Sequence, residues 1–222
     1  MTADLLDIVR DAGAEHALRR YFAEDAAERF SGRRFEMWRG GDDRADTRNV
    51  ITDDDLVAIQ MLNVKVPAEV AIHLLDGTLG RKISGLLAGI DATTELGTAA
   101  AADLLNAGAP AYRAWQLLKQ QHGIDYVIAS KLLARKRPAL IPVYDGVIRC
   151  RFGAPAQVWR KLHGQLAADD ERLRREAANL RTRANIPAAV SVLRVPDVVL
   201  WMRHHVQHTK RGCPGRGAVP LV

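Results

Sequence analysis

The chain has 222 residues, 48% hydrophobic and 26% charged, with a formal net charge of +6. This composition excludes a disordered or collagen-like chain and allows one large domain or two small ones with a real core. The two cysteines, Cys150 and Cys213, are too few for a disulfide scaffold or a four-cysteine metal cluster, and they suit a reducing cytoplasm.

In chain order, the apolar spacing predicts helices over Ala3–Asp11 and Glu15–Phe30. The stretch 31–51, with Gly40-Gly41 and mixed charge, reads as irregular. Thr52 followed by Asp53-Asp54-Asp55 reads as an N-cap with acids at the positive helix end. It opens a helix over Asp53–Leu62. Further helices are predicted over Pro67–Asp76, Arg81–Ala88, Ala99–Asn106, Ala111–Gln121, Tyr126–Lys136, Pro142–Phe152, Pro155–Ala167, Glu171–Ala184 and Pro196–His208. Pro67, Pro155 and Pro196 suit first-turn positions. The run Val190–Leu193 has strand character but no partner strands. From Thr209 the chain reads as a flexible basic tail. The expected fold is all-α and has no internal repeat.

Charge is unevenly distributed. Residues 1–110 carry 12 Lys+Arg and 19 Asp+Glu, whereas residues 111–222 carry 20 and 7. A half this basic suits a polyanion, and DNA is the expected partner. The N-terminus, MTADLLDIVRDAG, opens on acids and does not fit a signal peptide. No apolar run has the length of a membrane span. The expected location is the cytoplasm, in association with the nucleoid.

Residues 111–149 carry the most specific pattern. A helix ending near Gln121 is followed by the short turn His122-Gly123-Ile124-Asp125 and at once by a second helix. Two helices joined by such a turn present backbone amides at a helix N-terminus, where a phosphate can sit. Ile124, Val127, Ile128, Leu132 and Leu133 form a core face, and Lys131, Arg135, Lys136 and Arg137 are expected on the exposed side and end. Pro138 stops the helix. Beyond it, Asp145 is the one acid between Asp125 and Asp169, set in an apolar Val-Tyr-Asp-Gly-Val-Ile run. An acid there either does chemistry or has a structural task, as a helix cap or as partner to Arg149 four residues on.

In these residues the chain resembles the helix-hairpin-helix DNA glycosylase superfamily. Gly123-Ile124 matches the first hairpin glycine and its apolar neighbour, Ala129 matches the alanine of the following helix, and Pro142-Val143-Tyr144-Asp145 matches the approach to the catalytic aspartate. The segment 55–67, DLVAIQMLNVKVP, is similar to the helix that opens the hairpin domain. The likeness covers about residues 50–152. It implies a monofunctional glycosylase, in which Asp145 stabilises the sugar cation and steers a water. Lyase members place a Schiff-base lysine eighteen residues before that aspartate, a position held here by Val127, so lyase chemistry is not expected. Asp125 replaces the second hairpin glycine, and the iron–sulfur cysteine loop of some members is missing.

The resemblance implies Asp145 as the catalytic residue and Tyr126, Tyr144 and Val127 as base-pocket candidates. It implies DNA contacts from Gly123, Ile124, Lys131, Arg135, Lys136, Arg137 and Arg149. Tyr126 and Tyr144 are as readily core residues as stacking platforms for a flipped base. Trp38 reads as packed rather than as a DNA wedge. Trp115, Trp159 and Trp201 read as core. His204, His208 and Cys213 lack a fourth ligand at metal spacing, so neither metal nor cofactor is expected. The expected architecture has residues 50–144 as a central domain, with the hairpin at 111–137. Residues 1–49 with 145–208 form the second part, DNA lies in a cleft between the two, and 209–222 form the tail. The alternative function is a non-enzymatic DNA-binding module on the same scaffold.

Overall fold

The structure is a computed structural model that describes residues 4–24, 30–153 and 155–209. Every regular element among the described residues is helical. They are α1 (Leu5–Arg10), α2 (Ala14–Phe22), α3 (Asp53–Gln60), α4 (Ala68–Leu75), α5 (Thr78–Ala88), α6 (Ala99–Ala102), α7 (Pro110–Lys119), α8 (Tyr126–Lys136), α9 (Gly146–Phe152), α10 (Pro155–Arg183) and α11 (Arg194–Thr209). Short 3-10 turns occupy Ser31–Arg34, Trp38–Asp43 and Asp103–Leu105. The residues Val190–Leu193 form turns rather than a strand, with Arg194 N donating to Ser191 O and Val195 N to Val192 O.

Several helix ends follow from single side chains. Thr52 and Asp55 make a full capping box at the start of α3. Pro110 occupies the first turn of α7. The helix expected from Pro142 starts only at Gly146, because the Asp145 carboxylate takes the amides of Val147 and Ile148 and fixes the first turn there. The helix expected from Glu15 to Phe30 ends at Phe22, and residues 25–29 lie outside the described ones. α10 joins the two helices expected at 155–167 and 171–184 across a break at Ala168–Glu171, where Asp169, Asp170 and Glu171 have positive φ.

The chain divides into two compact units, residues 1–29 with 144–222, and residues 30–143. In the continuous unit, α7 packs on α5 and α8, α8 on α3, and α4 on α5. Phe35, Ile59, Ile83, Leu87, Leu118 and Leu132 are buried completely there, each worth roughly 1.5–3 kcal/mol of apolar burial. In the discontinuous unit, α11 packs on α1, α2 and α9, and α10 on α1. Leu18, Tyr21, Phe152 and Leu200 fill its core. The segment 31–49, expected to belong with the N-terminal helices, belongs to the continuous unit. The reason is its hydrogen bonding: Arg135 donates to Phe35 O and Glu36 O, and Arg137 to Arg48 O.

Candidate functional site

Asp145 sits at the junction of an extended segment and α9. Its backbone is extended, and Oδ1 accepts hydrogen bonds from Val147 N at 2.8 Å and Ile148 N at 3.0 Å. The side chain is half-buried. Oδ2 takes no hydrogen bond from the described residues. The structural task considered for this acid, capping a helix, is therefore the one its geometry displays. Tyr144, one residue earlier, is 0% exposed and donates its hydroxyl to Gly153 O at 2.6 Å. A tyrosine committed in this way lies in the core and lines no base pocket, which corrects its assignment. Arg149 lies one turn on in α9 and is half-buried.

α7 and α8 are joined by the short turn that the sequence places there. Gly123 is exposed with φ +76°, and a Cβ at this position would stand 2.7 Å from Pro67 Cγ. The turn therefore needs glycine on both conformational and steric grounds. Ile124 is 5% exposed and its amide donates to Gln121 O at 3.1 Å, so side chain and amide both serve the fold, not DNA. Asp125 caps α8, with Oδ1 accepting from Val127 N at 2.9 Å and Ile128 N at 2.8 Å. The amides that would hold a phosphate are thus occupied by the chain's own carboxylate. Tyr126 and Val127 occupy the first turn of α8 and are half-buried.

The basic residues of α8 differ most from expectation. Lys131, Arg135, Lys136 and Arg137 are 5%, 2%, 1% and 2% exposed. Lys131 Nζ donates to Leu62 O at 2.8 Å. Arg135 donates to Asp55 Oδ1 at 3.0 Å and also to the carbonyls of Phe35, Glu36 and Trp38. Lys136 Nζ is 2.8 Å from Asp55 Oδ2. Arg137 donates to Arg48 O, Asn49 Oδ1, Leu87 O and Ile90 O. Lys131 holds the turn after α3, and the other three hold an irregular segment and the end of α5 in place, so the four side chains are structural and offer no surface to DNA. Burial, opposed by the Asp55 carboxylate, pushes the Lys136 ammonium below the ordinary lysine pKa.

Asp55, 2% exposed, is the hub that sequence reasoning missed. Its Oδ2 also accepts from Thr52 N at 2.9 Å. The Thr52–Asp55 spacing signals the capping box, but nothing local signals the partners 80 and 81 residues away.

Other candidates are placed as follows. Trp38 is half-buried, with the Arg39 guanidinium 5.8 Å from its ring centroid. Trp115 is buried and donates to Ser130 Oγ, and Trp159 is also buried. Trp201 stacks on His205 at 4.0 Å. Among the described residues, no group of three or more His, Cys, Asp or Glu comes together to hold a metal, and Cys213 lies outside them. No helix of the described residues is long and apolar enough to cross a membrane. A hollow of about 560 Å³ lies between α5 and α7, lined by Lys82, Leu86, Arg113 and Gln116 among others. Another of about 300 Å³ is lined by Asp4, Gln165, Asp169 and Arg172. Neither is lined by Asp145, Tyr126 or Val127.

No curated protein and no solved structure matches the chain. A family of unknown function, DUF6308, matches residues 14–204. That span takes in all of the described residues from α2 to the penultimate turn of α11, and the chain belongs to this family.

Proposed function

We propose that the chain hydrolyses the N-glycosidic bond of a modified base in DNA, with water as nucleophile, Asp145 as the carboxylate beside the sugar and no cofactor. The observation that carries this reading is the hold on Asp145. Two amides fix Oδ1 at the start of α9, the residue is half-buried, and Oδ2 takes no hydrogen bond from the described residues. A carboxylate oriented in advance meets a developing sugar cation without reorganising. Val127 in place of a Schiff-base lysine supports attack by water. Such an enzyme acts where the DNA is, in the nucleoid.

The test uses duplexes carrying a panel of modified bases, with abasic sites cleaved afterwards by alkali. Strand breaks are expected only after alkali, and borohydride is expected to trap no protein–DNA adduct. Asp145→Asn keeps a capping oxygen but loses the charge. Its rate is expected to fall by a factor of about 10²–10³, matching about 3–4 kcal/mol of lost electrostatic stabilisation. Unchanged base release would leave Asp145 as a cap alone.

The second reading is a DNA-binding module without chemistry. Because Asp125 fills the hairpin amides and the basic residues of α8 are internal, neither can be its DNA contact. DNA would then meet exposed cations such as Lys82, Arg113 and Lys119. Salt-sensitive retention of unmodified duplex, with no base released from any substrate, selects this reading. Absence of binding even at low salt removes both.

A further inference from the structure

A separate cluster lies across α9 and α11. The Cys150 thiol, reduced and half-buried, is 3.5 Å from Nδ1 of His208 on the last turn of α11. The other side of the imidazole lies against Gly146. A Cβ there would stand 2.5 Å from His208 Nε2 and 3.2 Å from Cε1. Residues 146 and 150 are four apart on α9 and so share a face. One imidazole is therefore seated on a glycine and aimed at a thiol one turn away. Any side chain at 146 would displace the ring.

With Nδ1 as the acceptor, the ring's own proton is on Nε2 and the thiol hydrogen points to the imidazole. A base in this position draws the proton from sulfur and leaves a nucleophilic thiolate. Burial among apolar groups alone would do the reverse.

We propose that Cys150, served by His208, is a reactive thiol site for low-molecular-weight disulfides. His208 Nδ1 takes the thiol proton, and Cys150 Sγ attacks one sulfur of the disulfide. The reagent's S–S bond breaks as the new one forms. The second sulfur leaves with the electron pair and takes up the proton from the imidazolium. One thiol and one disulfide are consumed and one of each is produced, so no other oxidant is required. Cys150 lies on α9, the helix that Asp145 caps.

The test uses the full chain carrying Cys213→Ser, which leaves Cys150 as its single cysteine. Reaction with the neutral disulfide dithiodipyridine is followed by absorbance, and adduct formation with oxidised glutathione by mass. At neutral pH, His208→Gln is expected to slow both reactions about tenfold, since an unassisted thiol is only a few per cent thiolate there. Gly146→Ala leaves thiol and histidine in the chain but displaces the ring, and is expected to slow them by a similar factor. Rates are compared between variants that keep the parent's circular dichroism and melting temperature. A parent thiol that does not react, or folded variants that react as fast as the parent or faster, would overturn the proposal. Should His208→Gln fail to fold, Gly146→Ala decides alone, because alanine suits the first turn of a helix.

Discussion

Asp55 carries an unusual load for one carboxylate. It closes the capping box with Thr52 and faces both Arg135 and Lys136, while Arg137 adds a third buried cation beside them. The cluster therefore has more positive than negative charge, and Lys136 takes the consequence. Burial is the main cause of its lowered pKa, Asp55 opposes the shift, and Arg135 and Arg137 add to it. The unfolded chain keeps this proton up to the ordinary lysine value of 10.5, whereas the folded chain loses it earlier. Between those two points the unfolded state binds more protons, so rising pH adds stability. Wild type is therefore expected to gain unfolding free energy relative to Lys136→Met as pH rises through the alkaline range below 10.5. Urea melts of both proteins across that range check the sign, and parallel curves would show that Lys136 does not titrate in that window.

The irregular segment 31–51 is bonded within itself by short turns, and α8 adds side-chain donors from outside. Arg135 alone satisfies Asp55 and three carbonyls, at Phe35, Glu36 and Trp38. The planar fork of guanidinium fits such a set and an ammonium does not. Arg135→Lys is expected to cost about 2–4 kcal/mol in urea unfolding, because carbonyls and a carboxylate lose buried partners. The same segment holds Arg33 Nε, Trp38 Nε1 and Arg48 Nε buried without a hydrogen-bond partner among the described residues. Its amides are accordingly expected to exchange before those of α8, and earlier still in Arg135→Lys. The elements were legible in sequence where local chemistry sets them. Thr52 and Pro138 mark helix ends, and Tyr126–Lys136 is read to the residue. Burial of Arg135-Lys136-Arg137 was not legible, since a run of cations beside a proline is ordinarily solvated and its partners Arg48, Asp55, Leu87 and Ile90 are far away in sequence. Asp145 was legible as an isolated acid and as a helix cap, but the sequence starts the helix at Pro142, four residues before its observed start at Gly146.

At the scale of the molecule, the charge asymmetry of the sequence halves does not survive folding. The continuous unit, 30–143, carries 14 Lys+Arg against 13 Asp+Glu, and the discontinuous one carries 18 against 13. The acidic N-terminal helices and the basic C-terminal ones share a unit, so the strong polyanion signal read along the chain is diluted in space. The hydrogen bonds described for the buried ionic cluster close within 30–143. Expressed alone, that fragment is expected to be helical and to melt cooperatively, and a non-cooperative melt would show that it depends on the rest of the chain. The other unit cannot be cut out as one piece. Leu5 N is bonded to Gln165, Arg10 to Glu176, Asp11 to Arg203 and Tyr21 to Arg194. During synthesis, α1 and α2 therefore leave the ribosome more than a hundred residues before these partners exist. At the usual 5–20 residues per second they wait roughly ten to thirty seconds. Throughout that wait Leu5, Ile8, Val9, Leu18 and Tyr21, all buried in the finished protein, face water on the nascent chain, a stretch of the kind that chaperones hold until translation catches up.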